Sequence, residues 1–177
     1  AFNVVSIDTT TGFATVDYAL WPAFAPVFML FLCSFATCAG STGGGIKLIR
    51  SILMLKLARR ELTRIVHPRA VLPVTLAGTV VPGQVMYSVL AFMLIYGSVM
   101  AGVTLLLLFS GMDLVSAATA TIACINNTGP GLGQVGPANN YQGLSDFQTW
   151  ICTFAMMLGR LELLSVLVLF TPQFWRK

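Results

Sequence analysis

Two short Thr-Gly segments are the residues of this sequence whose types and spacing suggest chemistry. The first reads Thr10-Thr11-Gly12 and the second reads Asn127-Thr128-Gly129. Glycine reaches backbone angles that other residues avoid, so successive carbonyl groups around it can face a common axis. Such a run of carbonyls can replace the water around a dehydrated cation. The alternative is that Gly12 and Gly129 are ordinary loop glycines at an outer surface, and the repetition favours the first interpretation.

A third glycine-rich segment, Gly40-Ser41-Thr42-Gly43-Gly44-Gly45, lies near the end of an apolar stretch. Each glycine weakens a helix by about 1 kcal/mol relative to alanine, so the segment predicts a broken helix. It does not match a phosphate-binding loop, because Ile46 stands where that loop has its lysine. The break could serve as a movable gate or an unwound binding segment. A tight glycine-mediated helix contact is the alternative.

Two ionisable residues, Arg160 and Glu162, interrupt the apolar stretch from Phe147 to Trp175. A charge at membrane depth is costly and is usually turned toward a partner or a wet cavity. Residues two apart on a helix point in different directions, so these two are poor partners for each other. We expect Arg160 to donate to the free carbonyls of the broken helix at Gly40 to Gly45. A structural ion pair with another part of the protein is the alternative.

The composition places these segments in a membrane protein. Of the 177 residues, 56% are hydrophobic and 9% are charged, whereas an ordinary soluble domain carries about 25% charge. So few charges cannot cover a compact protein of this size, so much of its surface must face lipid. An enzyme is not indicated, because the single histidine, His67, lies in a basic segment and cannot serve Ser41 as a base. The four cysteines form no C-x-x-C pair, and no cofactor or metal-ligand set is indicated.

Three apolar stretches predict the membrane crossings, since about 20 residues suffice for a helical span. They are Tyr18–Ile46, Val85–Gly111 and Phe147–Trp175. Between the first two, seven basic residues from Lys47 to Arg69 predict a cytoplasmic loop, because lysine and arginine collect on the inner side of short loops.

A fourth apolar piece, Leu114–Ile125, has only 12 residues and suits a re-entrant helix. Asp113, followed by Ser116, predicts its N-terminal cap. The asparagine- and glycine-rich stretch from Asn126 to Gly133 cannot continue the helix and predicts an extended return.

The expected fold is therefore an all-α membrane protein built from repeats of span, re-entrant pore helix, Thr-Gly strand and span. Residues 1–57 are interpreted as the end of one repeat, 58–84 as a cytoplasmic basic connector, and 85–177 as a complete repeat. Because the first copy lacks its opening span, and because the sequence starts at Ala1, we expect a fragment of a longer protein.

The segments that carry a family resemblance are Asp8–Phe13, Cys38–Lys47, Asn126–Gly133, Leu158–Glu162 and Phe170–Trp175. Together they resemble the TrkH family, the membrane subunits of bacterial Trk potassium uptake systems in the Trk/Ktr/HKT superfamily. The resemblance covers essentially the whole chain. It implies a channel-like pore made by four repeats, of which this chain is the C-terminal part: the end of the third repeat and all of the fourth.

The resemblance also implies a role for each segment. Thr10-Thr11-Gly12 and Asn127-Thr128-Gly129 become the third and fourth filter strands, with K⁺ bound at their carbonyls as the permeant ion. Residues Gly40 to Gly45 become an intramembrane gating loop that Arg160 contacts. The fourth strand reads Asn-Thr-Gly-Pro-Gly, in place of the Thr-Val-Gly-Tyr-Gly of potassium channels.

Partners follow from the resemblance as well. It implies a homodimer in the lipid of the bacterial inner membrane, regulated by TrkA, a cytoplasmic ring that binds nucleotides. The basic region Lys47–Arg69 lies on the correct side to meet that ring, although the positive-inside bias alone could produce it. No nucleic-acid partner is implied. The alternative function is a secondary cation transporter with a broken-helix binding site.

Overall fold

The computed structural model describes residues 1–35, 46–70, 72–76, 78–161, 163–169 and 172–175. Within these ranges the chain is mostly helical, as expected for an all-α membrane protein. The α-helices are α1 (Phe2–Asp8), α2 (Phe24–Phe35), α3 (Leu48–Val66), α4 (Gly83–Phe109), α5 (Leu114–Asn126), α6 (Asp146–Arg160), α7 (Leu163–Leu169) and α8 (Pro172–Trp175). Short 3₁₀ turns are formed by Tyr18–Leu20, Gly133–Val135 and Tyr141–Gly143.

A small antiparallel hairpin is an exception to the helical architecture. Strand β1 (Thr75–Leu76) pairs with strand β2 (Thr79–Val80). Gly78 lies in the connecting turn with φ +82°, a value that favours glycine. The hairpin joins α3 to α4, and Val74 beside it packs on Met86 of α4.

Helix α4 is, among the described residues, the one helix both long and apolar enough to cross a bilayer. Its 27 residues correspond to about 40 Å at 1.5 Å per residue, which exceeds the hydrocarbon thickness of about 30 Å. Its bounds nearly coincide with the predicted crossing at Val85–Gly111, which stays a prediction. Of the first predicted crossing, Tyr18–Ile46, the structure describes residues 18–35, which include the 12 residues of α2, and Ile46.

The third predicted crossing is divided rather than continuous. Helix α6 ends at Arg160, with Leu161 as its C-cap. Helix α7 then resumes at Leu163, and α8 begins at Pro172. The division lies beside the two ionisable residues that interrupt the apolar stretch.

The short helix α5 lies at the centre of the described fold, against α2, α4 and α6. Its buried positions are mainly small residues, including Ala117, Ala120 and Ala123, each with no exposed surface. Small side chains let neighbouring helices approach closely. Helix α5 occupies the place of the predicted re-entrant helix Leu114–Ile125.

The basic stretch after the first apolar segment forms a helix, and its predicted place in a cytoplasmic connection stays a prediction. Helix α3 has 19 residues and carries most of the basic side chains of this region. Leucine, lysine and arginine are strong helix formers, and the apolar positions of α3 recur on one side. Leu53 on that side packs against Met86 and Val89 of α4, and the guanidinium of Arg50 lies 3.9 Å from the centre of the Phe92 ring.

The N-terminus of α6 is fixed to the end of α4. Ser145 and Gln148 form a reciprocal capping box at the start of α6. The side-chain Nε2 of Gln148 also donates to the hydroxyl of Ser110 at 2.9 Å and to its carbonyl at 3.3 Å. These bonds hold α6 beside α4 where the chain returns from α5.

The predicted cap of α5 is confirmed. A carboxylate oxygen of Asp113 accepts from the backbone N–H of Ser116 at 3.1 Å. The Ser116 side chain and then its N–H stabilise the charged carboxylate, so the pKa of Asp113 is lowered from its ordinary value. The cap therefore contributes stability above the ordinary carboxyl pKa and loses it as the pH falls through the lowered one.

We expect Asp113→Ala to destabilise the intact protein by about 1 kcal/mol, because one backbone N–H of α5 loses its acceptor. Asp113→Asn is the matched control, since an amide oxygen also caps a helix. Thermal unfolding in detergent at neutral and acidic pH measures both variants. Equal stability of the alanine and asparagine variants at neutral pH would show that the cap contributes nothing.

Candidate ion-binding site

Helix α1 ends in a hydrogen-bonded cap immediately before Gly12. The backbone N–H of Thr10 donates to the carbonyl of Ile7 at 3.1 Å, and that of Thr11 donates to the carbonyl of Ser6 at 2.8 Å. Bonds of this kind satisfy the carbonyls left open at a helix C-terminus and turn the chain away from the helix axis.

Helix α5 ends in the same way immediately before Gly129. The N–H of Asn127 donates to the carbonyl of Cys124 at 3.1 Å, and that of Thr128 donates to the carbonyl of Ala123 at 2.9 Å. The spacing of donors and acceptors is identical to that in α1. The two Thr-Gly segments therefore share this pair of cap bonds, to which the first segment adds a bond from the N–H of Gly12 to the carbonyl of Ser6 at 3.1 Å.

Thr10 and Asn127 occupy the same unusual backbone conformation in the two copies. Among the described residues other than glycine, these two alone have a positive φ, and both values are 55°. Asparagine tolerates this region, but a β-branched threonine rarely adopts it. Such strain costs of the order of 1–3 kcal/mol and is found mainly at functional sites.

The two glycines that follow also have positive φ, +82° at Gly12 and +101° at Gly129. A Cβ atom added to Gly12 would collide with the carbonyl oxygen of Thr128 and would lie 3.2 Å from the Cδ of Pro130. A Cβ atom added to Gly129 would meet no described atom within 4 Å. The two segments thus lie side by side, and the closest approach requires glycine at position 12.

Each strand is held to its own short helix three residues after its glycine. The N–H of Thr15 donates to the side-chain oxygen of Asn3 in α1 at 3.1 Å. The N–H of Leu132 donates to the hydroxyl of Thr119 in α5 at 3.0 Å. The same backbone position is therefore fixed by an amide in the first copy and by a hydroxyl in the second.

A neutral polar group anchors the end of α5. The side chain of Asn126 has no exposed surface. Its Nδ2 donates to the hydroxyl of Ser34 in α2 at 3.1 Å, and its Oδ1 accepts from the hydroxyl of Tyr96 in α4 at 3.4 Å. Three helices are thereby joined directly before the second Thr-Gly strand.

Helix α6 supports the same end of α5 through a glycine. A Cβ atom added to Gly159 would collide with the carbonyl oxygen of Ile125 and would lie 3.0 Å from the Nδ2 of Asn127. That Nδ2 also donates to the carbonyl of Met156 at 3.3 Å. Gly159 lets α6 pack directly on the backbone that leads into the strand.

The structure brings the six residues of the two predicted strands into one region, with Gly12 against the Thr128 carbonyl. The proposed gate residues Gly40, Ser41, Thr42, Gly43, Gly44 and Gly45 lie outside the described residues. Arg160 is the last residue of α6, directly after the glycine that contacts Ile125. Its predicted contact with the gate stays a prediction.

A model of the TrkH family of cation transport proteins matches residues 1–177, the whole of the chain. The chain belongs to the TrkH family. This finding confirms the resemblance carried by the glycine-rich segments.

Individual members of the TrkH family agree with this assignment. The Trk system potassium uptake protein TrkH of Vibrio parahaemolyticus is 45% identical over 175 residues. Its counterpart in Escherichia coli strain K12 is 43% identical over 176 residues. TrkG of the same Escherichia coli strain is 39% identical over 175 residues. In each case the match covers 99% of this chain and 36% of the relative.

A solved structure supports the fold. The crystal structure of the potassium transporter TrkH from Vibrio parahaemolyticus superposes with a TM-score of 0.89 at 45% sequence identity. The superposition covers 97% of this chain and 36% of that one. The chain therefore spans about a third of the length of the TrkH proteins that it matches.

Sequence reasoning missed the positioning residues of this TrkH-family chain. Gly159 stood beside Arg160 in the motif, but no role followed from its position, because a helix contact cannot be deduced from one sequence. Asn3 and Thr119 were missed since they lie on helices. A polar residue within a short apolar helix that precedes a Thr-Gly strand is the signal that could have found them.

We expect Gly159→Ala to destabilise the intact protein by about 1–3 kcal/mol, because the added methyl group meets backbone atoms that cannot rotate away. Gly97→Ala on α4 is the matched control, since no described atom lies within 4 Å of its added Cβ. Thermal unfolding in detergent compares the two. A Gly159→Ala protein as stable as the control would contradict the proposed packing.

Proposed function

We propose that this chain supplies two filter strands to a potassium uptake pore in the bacterial inner membrane. The observation that carries the proposal is the duplicated geometry, in which two capped helices each lead through a left-handed residue into a glycine strand, with Gly12 against the Thr128 carbonyl. The relatives named as potassium uptake proteins support K⁺ as the permeant ion.

The proposed chemistry is coordination of K⁺ by backbone carbonyls. A potassium ion sheds its water only where several oxygen dipoles replace it, and it leaves again only where none binds too strongly. Backbone carbonyls of the two strands around Gly12 and Gly129 supply neutral oxygens of this kind. No covalent cofactor and no catalytic residue take part in this function.

The backbone at membrane depth supports the same proposal. Non-helical backbone in a bilayer survives only inside protein or against a water-filled cavity, because hydrocarbon offers no hydrogen bonds. Several N–H groups of the two strands are bonded back to α1 and α5, among them those of Gly12, Thr15, Thr128 and Leu132. Bonds of this kind reduce the number of unsatisfied backbone groups that the strands would carry at membrane depth.

The gate remains part of the proposal. Residues Gly40 to Gly45 would close the pore below the filter, and Arg160 would stabilise the closed state through their carbonyls. The position of Arg160 supports this proposal. Gly159, one residue before Arg160, packs the end of α6 against the carbonyl of Ile125.

We expect Gly129→Ser in the intact protein to lower the K⁺ over Na⁺ permeability ratio by roughly tenfold, the equivalent of about 1.4 kcal/mol. The space beside Gly129 is open, so the effect arises from the strain of a side chain at φ +101° in the strand. Reversal potentials in proteoliposomes measure the ratio.

Gly111→Ser is the matched control, because Gly111 has φ +91° and open space but lies between α4 and α5. A similar ratio for both variants and the wild type would refute a filter role for Gly129. Saturable flux without single-channel events would instead favour the secondary transporter.

The same proposal makes the whole protein a homodimer that binds a TrkA-like cytoplasmic ring. In this proposal, α3 is the helix that contacts the ring. The side chains of Arg59 and Arg64 are exposed. Arg60 differs, because its guanidinium donates to the Glu61 carboxylate at 2.8 Å and approaches the sulfur of Met86. Arg59 and Arg64 therefore present the positive charge that an acidic partner surface would meet.

We expect Arg59→Gln combined with Arg64→Gln to weaken TrkA binding by about 1 kcal/mol, or roughly fivefold in Kd, since exposed charge pairs contribute this much. Arg60→Gln is the control on the same helix, because Glu61 already neutralises its charge. Titrations at low and high salt measure the affinity. Binding at wild-type strength by the double variant would leave membrane topology as the sole role of these charges.

A further inference from the structure

A tyrosine outside both Thr-Gly strands bonds directly to the second one. The hydroxyl of Tyr141 donates to the carbonyl oxygen of Gly129 at 2.7 Å, an ordinary distance for an O–H···O hydrogen bond. Tyr141 follows Gly129 by 12 positions and opens the 3₁₀ turn Tyr141–Gly143. The contact therefore joins the strand to the loop that leads into α6.

The tyrosine is held at both its backbone and its ring. Asn140 caps the turn by accepting from the N–H of Gln142 at 3.1 Å, and the N–H of Leu144 donates to the Tyr141 carbonyl at 3.2 Å. The ring packs against the buried cluster of α4, α5 and α6 that includes Cys124 and Cys152. Its hydroxyl is thus presented from the protein side of the strand, in a fixed position.

The peptide that accepts this bond has little else to orient it. It joins Gly129 to Pro130, and proline has no N–H, so the carbonyl is the only hydrogen-bonding group of this peptide. The Pro130 ring fixes φ at position 130, so the carbonyl turns mainly through ψ of Gly129, where φ is +101° and open space leaves that dihedral unrestricted by side-chain packing. One hydrogen bond to the carbonyl is therefore enough to decide which way the oxygen points.

We infer that Tyr141 is a positioning residue that turns the Gly129 carbonyl away from the ion path, so that the coordinating carbonyls of this strand end at Thr128. This inference rests on the proposed function, because it concerns which oxygens of the filter meet the ion. The Thr128 carbonyl points toward the neighbouring strand at Gly12, whereas the Gly129 carbonyl points toward Tyr141.

The inference predicts a selectivity effect from a hydroxyl that never touches the ion. Without the hydroxyl, the Gly129 carbonyl loses this donor and can tilt through ψ of Gly129 toward the path, which changes the arrangement of dipoles around the ion. A single neutral hydrogen bond sets the scale, and we expect a roughly three- to tenfold lower K⁺ over Na⁺ permeability ratio.

The experiment is Tyr141→Phe in the intact protein, with reversal potentials recorded in proteoliposomes. The variant keeps the ring and its packing and loses only the hydroxyl. Tyr87→Phe is the matched control, since Tyr87 lies exposed on α4. A lower ratio for Tyr141→Phe alone supports the inference, because a purely structural role would change the amount of folded protein and not the ratio.

The two proposals fail in different ways. If the wild-type protein carries no potassium-selective current, the proposed function fails. If the wild type is selective and Tyr141→Phe retains the same ratio with normal current, the positioning role fails and the proposed function stands.

A measurement on the wild type decides the case if Tyr141→Phe does not fold. Labelling with [1-¹³C]glycine and [¹⁵N]proline selects carbonyls of Gly-Pro pairs in solid-state NMR, and this chain has them at Gly129–Pro130 and Gly136–Pro137. Pro130→Ala assigns the Gly129 signal by removing it. We expect that signal to keep its position when Na⁺ replaces K⁺. A shift as the ion changes, with the Gly136 signal constant, would overturn the inference.

Discussion

The close approach of the Gly12 backbone to the Thr128 carbonyl is the constraint on which the rest of the described structure depends. Two strands can lie this near only if each leaves its helix at the same angle and if one of them lacks a side chain at the contact. The identical caps of α1 and α5 supply the angle. The packing of α2, α4 and α6 around α5 keeps the second cap in place.

Polar contacts around this point are neutral and local. Amide and hydroxyl groups of Asn3, Thr119 and Asn126 satisfy backbone or side-chain partners next to the strands. Neutral donors and acceptors fix the backbone without adding a charge, which suits the proposed cation path. Helix α3, by contrast, carries basic side chains and packs on α4.

Much of this arrangement could be predicted from the sequence, because it follows from local rules. The short helix before Asn126, its Asp113 cap and the crossing at α4 depend on length, polarity and capping, which are visible along the chain. The helical nature of α3 was missed, since a cluster of seven basic residues was interpreted by charge and not by helix propensity. The contacts of Gly159 and Tyr141 could not be predicted from the sequence, because they join residues that are far apart along the chain.

The two strands are held by different side chains, Asn3 in one copy and Thr119 in the other. Both copies belong to one polypeptide, so each can change alone during evolution. In a pore made from identical subunits, one altered codon changes the same residue in every subunit around the ion. In the proposed pore the two strands can instead change one at a time, which makes small, graded changes in ion preference accessible to single substitutions.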